Sequence, residues 1–238
     1  MEYCLEQFRM GLQKLHVELS QEQTEQFLRY YELLTEKNKV MNLTAITEFD
    51  EVIEKHFLDS LALNLVYDLK KEVSILDLGT GAGFPGIPLK IAFPKLKLVL
   101  ADSLNKRIRF LDEVIEELKL KDITAVHARA EELGRNREYR ESFDLCVSRA
   151  VANLSSLSEY CLPFVKPGGS FISYKSGEVE QEAAGAKKAV AVLGGEIREI
   201  YKFEINEQKR SFVIIDKKKA TPKAYPRKAG TPAREPLS

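Results

Sequence analysis

The segment "ILDLGTGAGFPG", residues 75–86, limits the possible folds of this chain more than any other. An apolar run leads to Asp77, three glycines then alternate along the chain, and a helix-like segment follows. Glycine has no Cβ and tolerates positive φ, so such a turn lets a ligand lie directly against the backbone. The free N–H groups at the start of the next helix point toward that ligand. The segment therefore predicts a cofactor site between a strand and a helix.

Two cofactor classes use glycine turns of this kind. Gly81, Gly83 and Gly86 fit the G-x-G-x-x-G spacing of dinucleotide sites. From Asp77 to Gly83 the chain also matches D-x-G-x-G-x-G in full, which resembles the S-adenosylmethionine (AdoMet) site of class I methyltransferases. In that family the acid faces the cationic methionine amino group, whereas a carboxylate there would repel a pyrophosphate. AdoMet is the favoured interpretation, and a dinucleotide site or a purely structural turn are the alternatives.

The rest of the chain predicts a parallel sheet covered by helices. Strands are expected at 73–78, 97–102, 123–127, 143–148 and 169–174, with helices at about 84–93, 105–119, 153–162 and 178–193. Two last strands, "GEIREIYKFEI" and "SFVIIDKK", are joined by a short link that suits an antiparallel hairpin. The predicted fold class is α/β, with the Rossmann-like seven-stranded sheet of class I AdoMet-dependent methyltransferases and an N-terminal helical cap.

Three segments are expected along the chain. Residues 1–66 form the helical cap, in which Ser20 and Gln23 make a capping box and Thr47 begins a later helix. Residues 67–216 form the AdoMet-binding domain. Residues 217–238 form a Pro-rich tail with seven Lys or Arg and one Glu, in which the prolines exclude a regular helix. The tail is either a solvated segment, a basic arm for phosphates, or a clasp that packs back on the domain.

Composition excludes several classes of function. The formal net charge is zero, so attraction to nucleic acid or to an anionic membrane would have to come from local patches. No stretch reaches the roughly 18 apolar residues of a membrane span. The three cysteines form no C-x-x-C pair and the three histidines lie far apart, which predicts reduced thiols, a cytoplasmic protein and no metal site.

Two further positions fit a nucleoside cofactor. Asp102 ends the second predicted strand, where a carboxylate can accept hydrogen bonds from both ribose hydroxyls and where Ser103 and Leu104 would lie beside the adenine. Ala130 and Glu131 follow the third strand, where class I methyltransferases hold the adenine amino group. The alternatives are ordinary helix caps and an acid at a helix start.

The residues at the end of the fourth predicted strand argue against two classes of methyl acceptor. Methyltransferases that act on exocyclic amines carry (D/N)-P-P-(Y/F) here, whereas this chain has Ser148, Arg149 and Ala150. Methylation of pyrimidine C5 needs a cysteine nucleophile, but Cys146 and Cys161 lie in apolar surroundings typical of a core. Arg149 emerges at the carboxyl end of the strand, where ligands bind in such sheets. Its alternative role is a surface ion pair.

Several longer segments resemble one family closely. They are "NLTAI", "KHFLDSL", "DLGTGAGFPGIPLKIAFP", "DSLNKRIRFL", "SRAVANLSSLSEY" and "YPRKAGTPAREPL". Together they resemble the bacterial 16S ribosomal RNA guanine-N7 methyltransferases, the glucose-inhibited division protein B family, from about residue 25 to the C-terminus. The resemblance implies AdoMet as methyl donor and, as acceptor, guanine 527 of the decoding-region hairpin, within the small ribosomal subunit or a precursor of it.

The resemblance and the glycine pattern give a set of candidate site residues. The expected cofactor contacts are Asp77, Gly79, Thr80, Gly81, Gly83, Phe84, Asp102, Ser103, Leu104, Ala130, Glu131 and Arg149. The expected contacts with substrate RNA are Lys175, Arg210, Arg227, Lys228 and Arg234. No catalytic side chain is expected, because guanine N7 has a free lone pair and attacks the methyl group in line without losing a proton. A monomer is expected.

Two other functions remain open at this stage. A small-molecule methyltransferase on the same fold would have a closed apolar acceptor pocket and no use for a basic tail. A nucleotide-sensing or RNA-binding module would bind a ligand at the glycine loop without turnover.

Overall fold

The computed structural model describes residues 3–149 and 152–237, so Ala150 of the fourth-strand motif lies outside the described residues. One seven-stranded sheet forms the centre of the molecule. Its strands are β1 (Ser74–Leu78), β2 (Lys97–Asp102), β3 (Ile123–His127), β4 (Phe143–Ser148), β5 (Val165–Ser176), β6 (Gly195–Ile205) and β7 (Gln208–Lys217).

The strand order is β3-β2-β1-β4-β5-β7-β6. Strands β1 to β5 run parallel, whereas β7 pairs antiparallel with both β5 and β6. The predicted fold class, including the antiparallel last hairpin, is therefore confirmed. From β1 the chain adds β2 and β3 on one side of the sheet, and it then crosses over to add β4 and β5 on the other side. The carboxyl ends of β1 and β4 therefore enclose a crevice, which is where ligands bind in such sheets.

Helices cover both faces of the sheet. Those that follow the strands are α5 (Gly86–Ala92), α6 (Asn105–Glu117), α7 (Ala130–Leu133), α8 (Leu154–Cys161) and α9 (Glu180–Val192). Four of them match the predicted helices, and the one-turn helix α7 was not predicted. Cys146 and Cys161 are both fully buried, in keeping with the predicted core positions.

The N-terminal part consists of α1 (Glu6–Lys14), α2 (Gln21–Met41) and a longer irregular helical segment. The predicted capping box is present at the start of α2, because Ser20 Oγ accepts from Gln23 N at 3.2 Å and Gln23 Oε1 accepts from Ser20 N at 2.8 Å. The irregular segment contains α3 (Phe49–Val52), a π-helical turn (Ile53–Leu58), α4 (Asp59–Leu61) and a 3₁₀ turn (Ala62–Leu65). Glu48, not Thr47, stands at its N-cap.

The helical cap packs directly on the glycine loop. The Phe27 and Phe57 rings lie 5.0 Å apart, and the Tyr30 and Phe84 rings lie 5.5 Å apart. The Tyr30 hydroxyl donates to the Ala82 carbonyl at 2.6 Å. Because these contacts join the cap and the sheet in one continuous core, movement of the cap would disturb the loop. The division of the chain at residue 66 stays a prediction.

Residues 218–237, here called the C-terminal clasp, pack back over α7 and α8. Arg140 donates to the carbonyls of Thr221 at 2.8 Å and Tyr225 at 2.9 Å, and Arg135 donates to the Pro226 carbonyl at 2.6 Å. The clasp contains the short helix α10 (Thr231–Arg234). The prolines were expected to exclude a regular helix, and α10 has only four residues; its proline lies in the first helical turn, where it loses no intrahelical hydrogen bond.

Candidate functional site

Three glycines with positive φ shape the loop after β1. Gly79, Gly81 and Gly83 have φ values of 74°, 63° and 108°. A Cβ at Gly83 would lie 2.6 Å from Ile87 and 2.8 Å from the Tyr30 hydroxyl, whereas a Cβ at Gly81 would enter open space. Packing therefore requires glycine at position 83. At position 81 the requirement comes from the backbone conformation, and the space beside it is free for a ligand.

Asp77 stabilises this loop from within. Its Oδ2 accepts from the Thr80 hydroxyl at 2.6 Å and from Gly86 N at 2.8 Å, while its buried Oδ1 has no hydrogen-bond partner among the described residues. Burial raises the pKa of the carboxyl to about 6. Asp77 is fully buried and does not line the neighbouring cavity, so its contact with the methionine amino group stays a prediction.

A cavity of about 740 Å³ lies at the carboxyl ends of the central strands. Nine of the predicted cofactor residues line it, namely Gly79, Thr80, Gly81, Phe84, Asp102, Ser103, Ala130, Glu131 and Arg149. Asp77, Gly83 and Leu104 do not line the cavity. Asp77 and Gly83 shape the loop from behind, and Leu104 is 42% exposed. The cavity volume is typical of small-molecule and cofactor sites.

Asp102 ties the end of β2 to the glycine loop. Its Oδ2 accepts from Gly81 N at 3.0 Å, and its Oδ1 accepts from Leu104 N at 2.9 Å. Arg107, which was not predicted, donates to Oδ2 from Nη1 at 3.1 Å. The helix-cap alternative is not confirmed, because Leu104 and not Asp102 is the N-cap residue of α6. Hydrogen bonding of Asp102 to ribose hydroxyls stays a prediction.

Two walls of the cavity are held by the C-terminal clasp. Glu131, in the first turn of α7, accepts from Gly230 N through Oε1 at 2.7 Å. Tyr160 of α8 also lines the cavity, and α8 is joined to the clasp by a hydrogen bond from Ser156 Oγ to the Pro232 carbonyl at 2.8 Å. Nothing in the local sequence indicates the contact of Glu131 with the clasp, since Glu131 and Gly230 are 99 positions apart.

Arg149 stands at the end of β4 in a dense group of contacts. Its Nη1 donates to Asp59 Oδ2 at 2.9 Å and to the Lys55 carbonyl at 3.1 Å, and its Nη2 lies 3.1 Å from His56 Nδ1. The guanidinium carbon is 5.1 Å from the centre of the Phe84 ring. Arg149 therefore combines the predicted position in the cavity with the ion pair considered as the alternative.

A second cavity of about 640 Å³ adjoins the first, and His56 and Arg149 line both. Lys175 and Arg210, two of the predicted RNA contacts, line this second cavity. Lys175 Nζ donates to Glu182 at 2.8 Å, and Arg210 Nε donates to Asp59 Oδ1 at 2.9 Å. The Asp59 carboxylate thus joins two arginines, and the group carries a net positive charge.

The other predicted RNA contacts lie apart from these, on the clasp. Arg227 forms an ion pair with the buried Glu159, with 2.7 Å between Nη2 and Oε2. Lys228 and Arg234 are exposed and have no ion pair within the described part of the chain. The structure therefore does not bring the five predicted RNA residues together, and their contact with RNA stays a prediction.

Sequence reasoning missed several residues that line the first cavity, among them Thr44, His56, Arg107 and Tyr160. Only His56 had a local signal, because it precedes Asp59 by three positions in the helical segment "KHFLDSL". Within residues 3–149 and 152–237, no three His, Cys, Asp or Glu side chains are placed to hold a metal ion. No helix in the same ranges is long and apolar enough to cross a bilayer.

Comparison of the fold identifies other proteins with the same architecture. A SAM-dependent methyltransferase from Aquifex aeolicus is similar over 69% of this chain and 92% of that chain, with a TM-score of 0.51 and 17% identity. TYW2 from M. jannaschii, solved in complex with AdoMet, is similar over 73% of this chain and 79% of that chain, with a TM-score of 0.56 and 15% identity. At these identities the likeness shows the fold alone.

Sequence comparison gives much closer relatives. A protein from Lachnoclostridium phytofermentans named ribosomal RNA small subunit methyltransferase G is 55% identical over 97% of this chain and 96% of its own length. A relative of the same name from Oceanobacillus iheyensis is 49% identical over 98% of both chains. The GidB family profile, described as rRNA small subunit methyltransferase G, matches residues 23–213. With the glycine loop, the crevice and these matches together, the chain belongs to the GidB family of small-subunit rRNA methyltransferases.

Proposed function

We propose that this protein transfers a methyl group from AdoMet to N7 of a guanine in 16S rRNA, which by family resemblance is guanine 527 of the decoding-region hairpin. The observation that carries the proposal is the pair of adjoining cavities with His56 and Arg149 in their common wall. One cavity has the features of a nucleoside site, and the other has basic and aromatic side chains that suit a nucleotide.

The residues of the first cavity fit AdoMet. The space beside Gly81 is open, Ala130 leaves room for a flat base, and Asp102 has a carboxylate at the cavity surface. Asp77 Oδ1, which has no hydrogen-bond partner among the described residues, is a buried acceptor behind the loop that a cationic amine would complement. Bound AdoMet would supply an electrophilic methyl group. The role of Asp102 and Glu131 would be to hold the ribose and the adenine.

The second cavity fits the acceptor nucleotide. Its lining includes the half-buried ring of Phe203, which a base can contact, and the cations Lys175 and Arg210, whereas the rings of Tyr174 and Phe212 are buried beside Phe203. Moving a guanine into such a site requires its unstacking, which typically costs a few kcal/mol and costs least for a base in an RNA loop. Because the two cavities share a wall, an acceptor there would lie next to the donor.

The chemistry needs orientation more than proton transfer. Guanine N7 is an unprotonated nucleophile, so no general base is assigned and the mechanism is an in-line displacement. A covalent route through Cys146 is disfavoured, since burial raises the pKa of its thiol well above the usual value. Holding donor and acceptor in line can lower the barrier by roughly 7–11 kcal/mol. The two cavities would provide this orientation without metal assistance.

The test is a transfer assay with radiolabelled AdoMet and three acceptors, namely deproteinised rRNA, intact small subunits and a metabolite extract. Label in 16S rRNA, mapped by the chain cleavage that 7-methylguanine undergoes after borohydride and aniline, supports the proposal. Label only in small molecules would instead support a small-molecule methyltransferase. Binding of AdoMet without transfer to any acceptor would support a non-catalytic RNA-binding module.

The same assay addresses the form of the substrate. We expect a cytoplasmic monomer that acts on the small ribosomal subunit or a precursor of it. Transfer to assembled particles at a much higher rate than to naked RNA would support this expectation.

A further inference from the structure

His56 lies where the two cavities meet, although the proposed reaction gives it no role. It belongs to the π-helical turn Ile53–Leu58, a type of distortion that is frequent at functional sites. Its ring stacks on Phe84, with 4.4 Å between the ring centres and 19° between the planes. The side chain is almost fully buried. A polar ring in such a place needs partners for both of its nitrogens.

The hydrogen-bond partners of the two ring nitrogens show which nitrogen carries the proton. Nδ1 lies 3.1 Å from Arg149 Nη2, and a guanidinium only donates, so Nδ1 accepts. Nε2 then carries the proton and donates to Thr44 Oγ1 at 2.9 Å. Nδ1 also lies 3.1 Å from the Lys55 carbonyl, but a proton on Nδ1 would face the guanidinium, and Arg149 Nη1 already donates to that carbonyl.

This arrangement argues against acid–base catalysis by His56. Both nitrogens are engaged, and one face of the ring is covered by Phe84. Burial and the charge of Arg149 lower the pKa of the ring to about 3, so His56 is neutral and remains an acceptor across the physiological range. A neutral ring keeps its Nδ1 lone pair, so the hydrogen bond from Arg149 is present throughout this range.

The His56 contact restrains one of the two terminal nitrogens of Arg149. Nη1 is held by Asp59 and the Lys55 carbonyl, whereas among the described residues Nη2 has a hydrogen bond only with His56. Asp59 also binds Arg210 and lines only the second cavity. Without His56, the remaining hydrogen bonds would hold Arg149 from the side of the second cavity, and its orientation toward the first would depend on the contact with the Phe84 ring alone.

The charge and position of Arg149 indicate which ligand group it would bind in the first cavity. Arg107 is paired with Asp102 at the end of β2, whereas Arg149 lies beside Phe84 at the glycine loop and is close enough to Asp77 to lower the pKa of that carboxyl. A guanidinium in this position suits a carboxylate, with which it forms charge-assisted hydrogen bonds. AdoMet has a single carboxylate, on its methionine part.

We infer that His56 is a positioning residue, which holds Arg149 through Nδ1 so that the guanidinium binds the methionine carboxylate of AdoMet. The inference rests on the proposed function, because it takes AdoMet as the ligand of the first cavity. It concerns how the donor is held and not which RNA atom is methylated.

The test compares two substitutions and two ligands by calorimetry. His56→Phe keeps an aromatic ring on Phe84 but removes the acceptor, whereas His56→Asn places an amide oxygen near the position of Nδ1. 5′-Methylthioadenosine has the nucleoside part of AdoMet but lacks its carboxylate. We expect His56→Phe to weaken AdoMet binding about tenfold, as for loss of a hydrogen bond to a charged group, and methylthioadenosine binding less than about twofold. His56→Asn should recover most of the AdoMet affinity.

Three outcomes would overturn the inference. The first is an unchanged AdoMet affinity in folded His56→Phe, and the second is an equal loss of affinity for AdoMet and methylthioadenosine in that variant. The third is that His56→Asn binds AdoMet no better than His56→Gln, whose amide extends toward Thr44 and not toward the position of Nδ1. If His56→Phe does not fold, the comparison of His56→Asn with His56→Gln tests the inference by itself. Wild-type protein that binds AdoMet but does not methylate rRNA would refute the proposed function and leave this inference standing.

Discussion

The ion pair between Arg227 and Glu159 is the contact on which the C-terminal clasp depends most. Both carboxylate oxygens of Glu159 accept hydrogen bonds, from Arg227 N and Nη2 at 2.7 Å and from Nε at 3.0 Å. The Glu159 side chain is fully buried, and that of Arg227 is 24% exposed. Arg227→Ala would leave a buried carboxylate with only one donor from the clasp, the backbone N–H of residue 227.

The size of the effect follows from the cost of an uncompensated buried charge. Breaking a buried pair by removal of one partner costs about 3–5 kcal/mol. We expect the lower end, about 3 kcal/mol, because the clasp can lift and let water reach Glu159. For a chain of this length each kcal/mol lowers Tm by about 2–4 °C, so the expected decrease is about 6–12 °C.

Thermal unfolding and AdoMet calorimetry on the same samples provide the assay. Lys228→Ala is the matched control, since it removes the same charge from the neighbouring position, which is exposed. We expect this control to change stability by less than about 0.5 kcal/mol. Arg227→Ala should also weaken AdoMet binding, because a lifted clasp no longer donates from Gly230 to Glu131.

Two results would refute this reasoning. If Arg227→Ala melts within about 2 °C of Lys228→Ala, the ion pair does not stabilise the fold. If it melts much lower but binds AdoMet as tightly as wild type, the clasp does not support the cavity. Ending the chain after Asp216 should reproduce both effects, whereas a tail that served only RNA would leave AdoMet affinity unchanged.

Other predictions concern the loop and the buried groups. Gly81→Val should abolish AdoMet binding in a folded protein, measured by calorimetry and circular dichroism, because a β-branched residue disfavours positive φ and would fill the free space. Calorimetry should also show heat with AdoMet and none with NAD. Asp77 has a pKa of about 6 against a usual 3.8, so the native state binds the extra proton and stability falls by about 3 kcal/mol as pH rises from about 4 to about 6. Asp77→Asn should remove that decrease in urea unfolding curves. The double substitution of Cys146 and Cys161 by alanine should keep most methyl transfer, and its loss in a protein that still binds AdoMet would contradict attack by N7.

Local patterns were sufficient to predict the strands of the sheet and the loop that borders the first cavity. Strand periodicity, the glycine turn and the acid at Asp102 are each readable within a short window, and parallel strands bring their carboxyl ends to one edge. Other residues that line the cavity, such as Phe84, Ala130 and Arg149, were expected from the family resemblance. The same short windows gave no indication of the π-helical turn Ile53–Leu58.

The interactions of side chains from distant segments could not be predicted. Arg227 was interpreted as an RNA contact because it lies in a basic run, yet its charge is balanced by Glu159, which is 68 positions away. His56 was set aside because it has no neighbouring metal ligands, whereas its partner Arg149 is 93 positions away. In both cases the residue type is readable locally, whereas the partner is determined by the tertiary fold.

The hydrogen bond from Gly230 to Glu131 has a consequence for biosynthesis. Translation is vectorial, and domains begin to fold while the rest of the chain is still being made. The sheet that surrounds the cavity can assemble once β7 has emerged, but Glu131 has to wait for a donor that is synthesised 99 residues after it. A nascent chain would therefore have the glycine loop well before it has a finished cavity wall, and a ligand of the cavity would be bound late, after the clasp has left the ribosome.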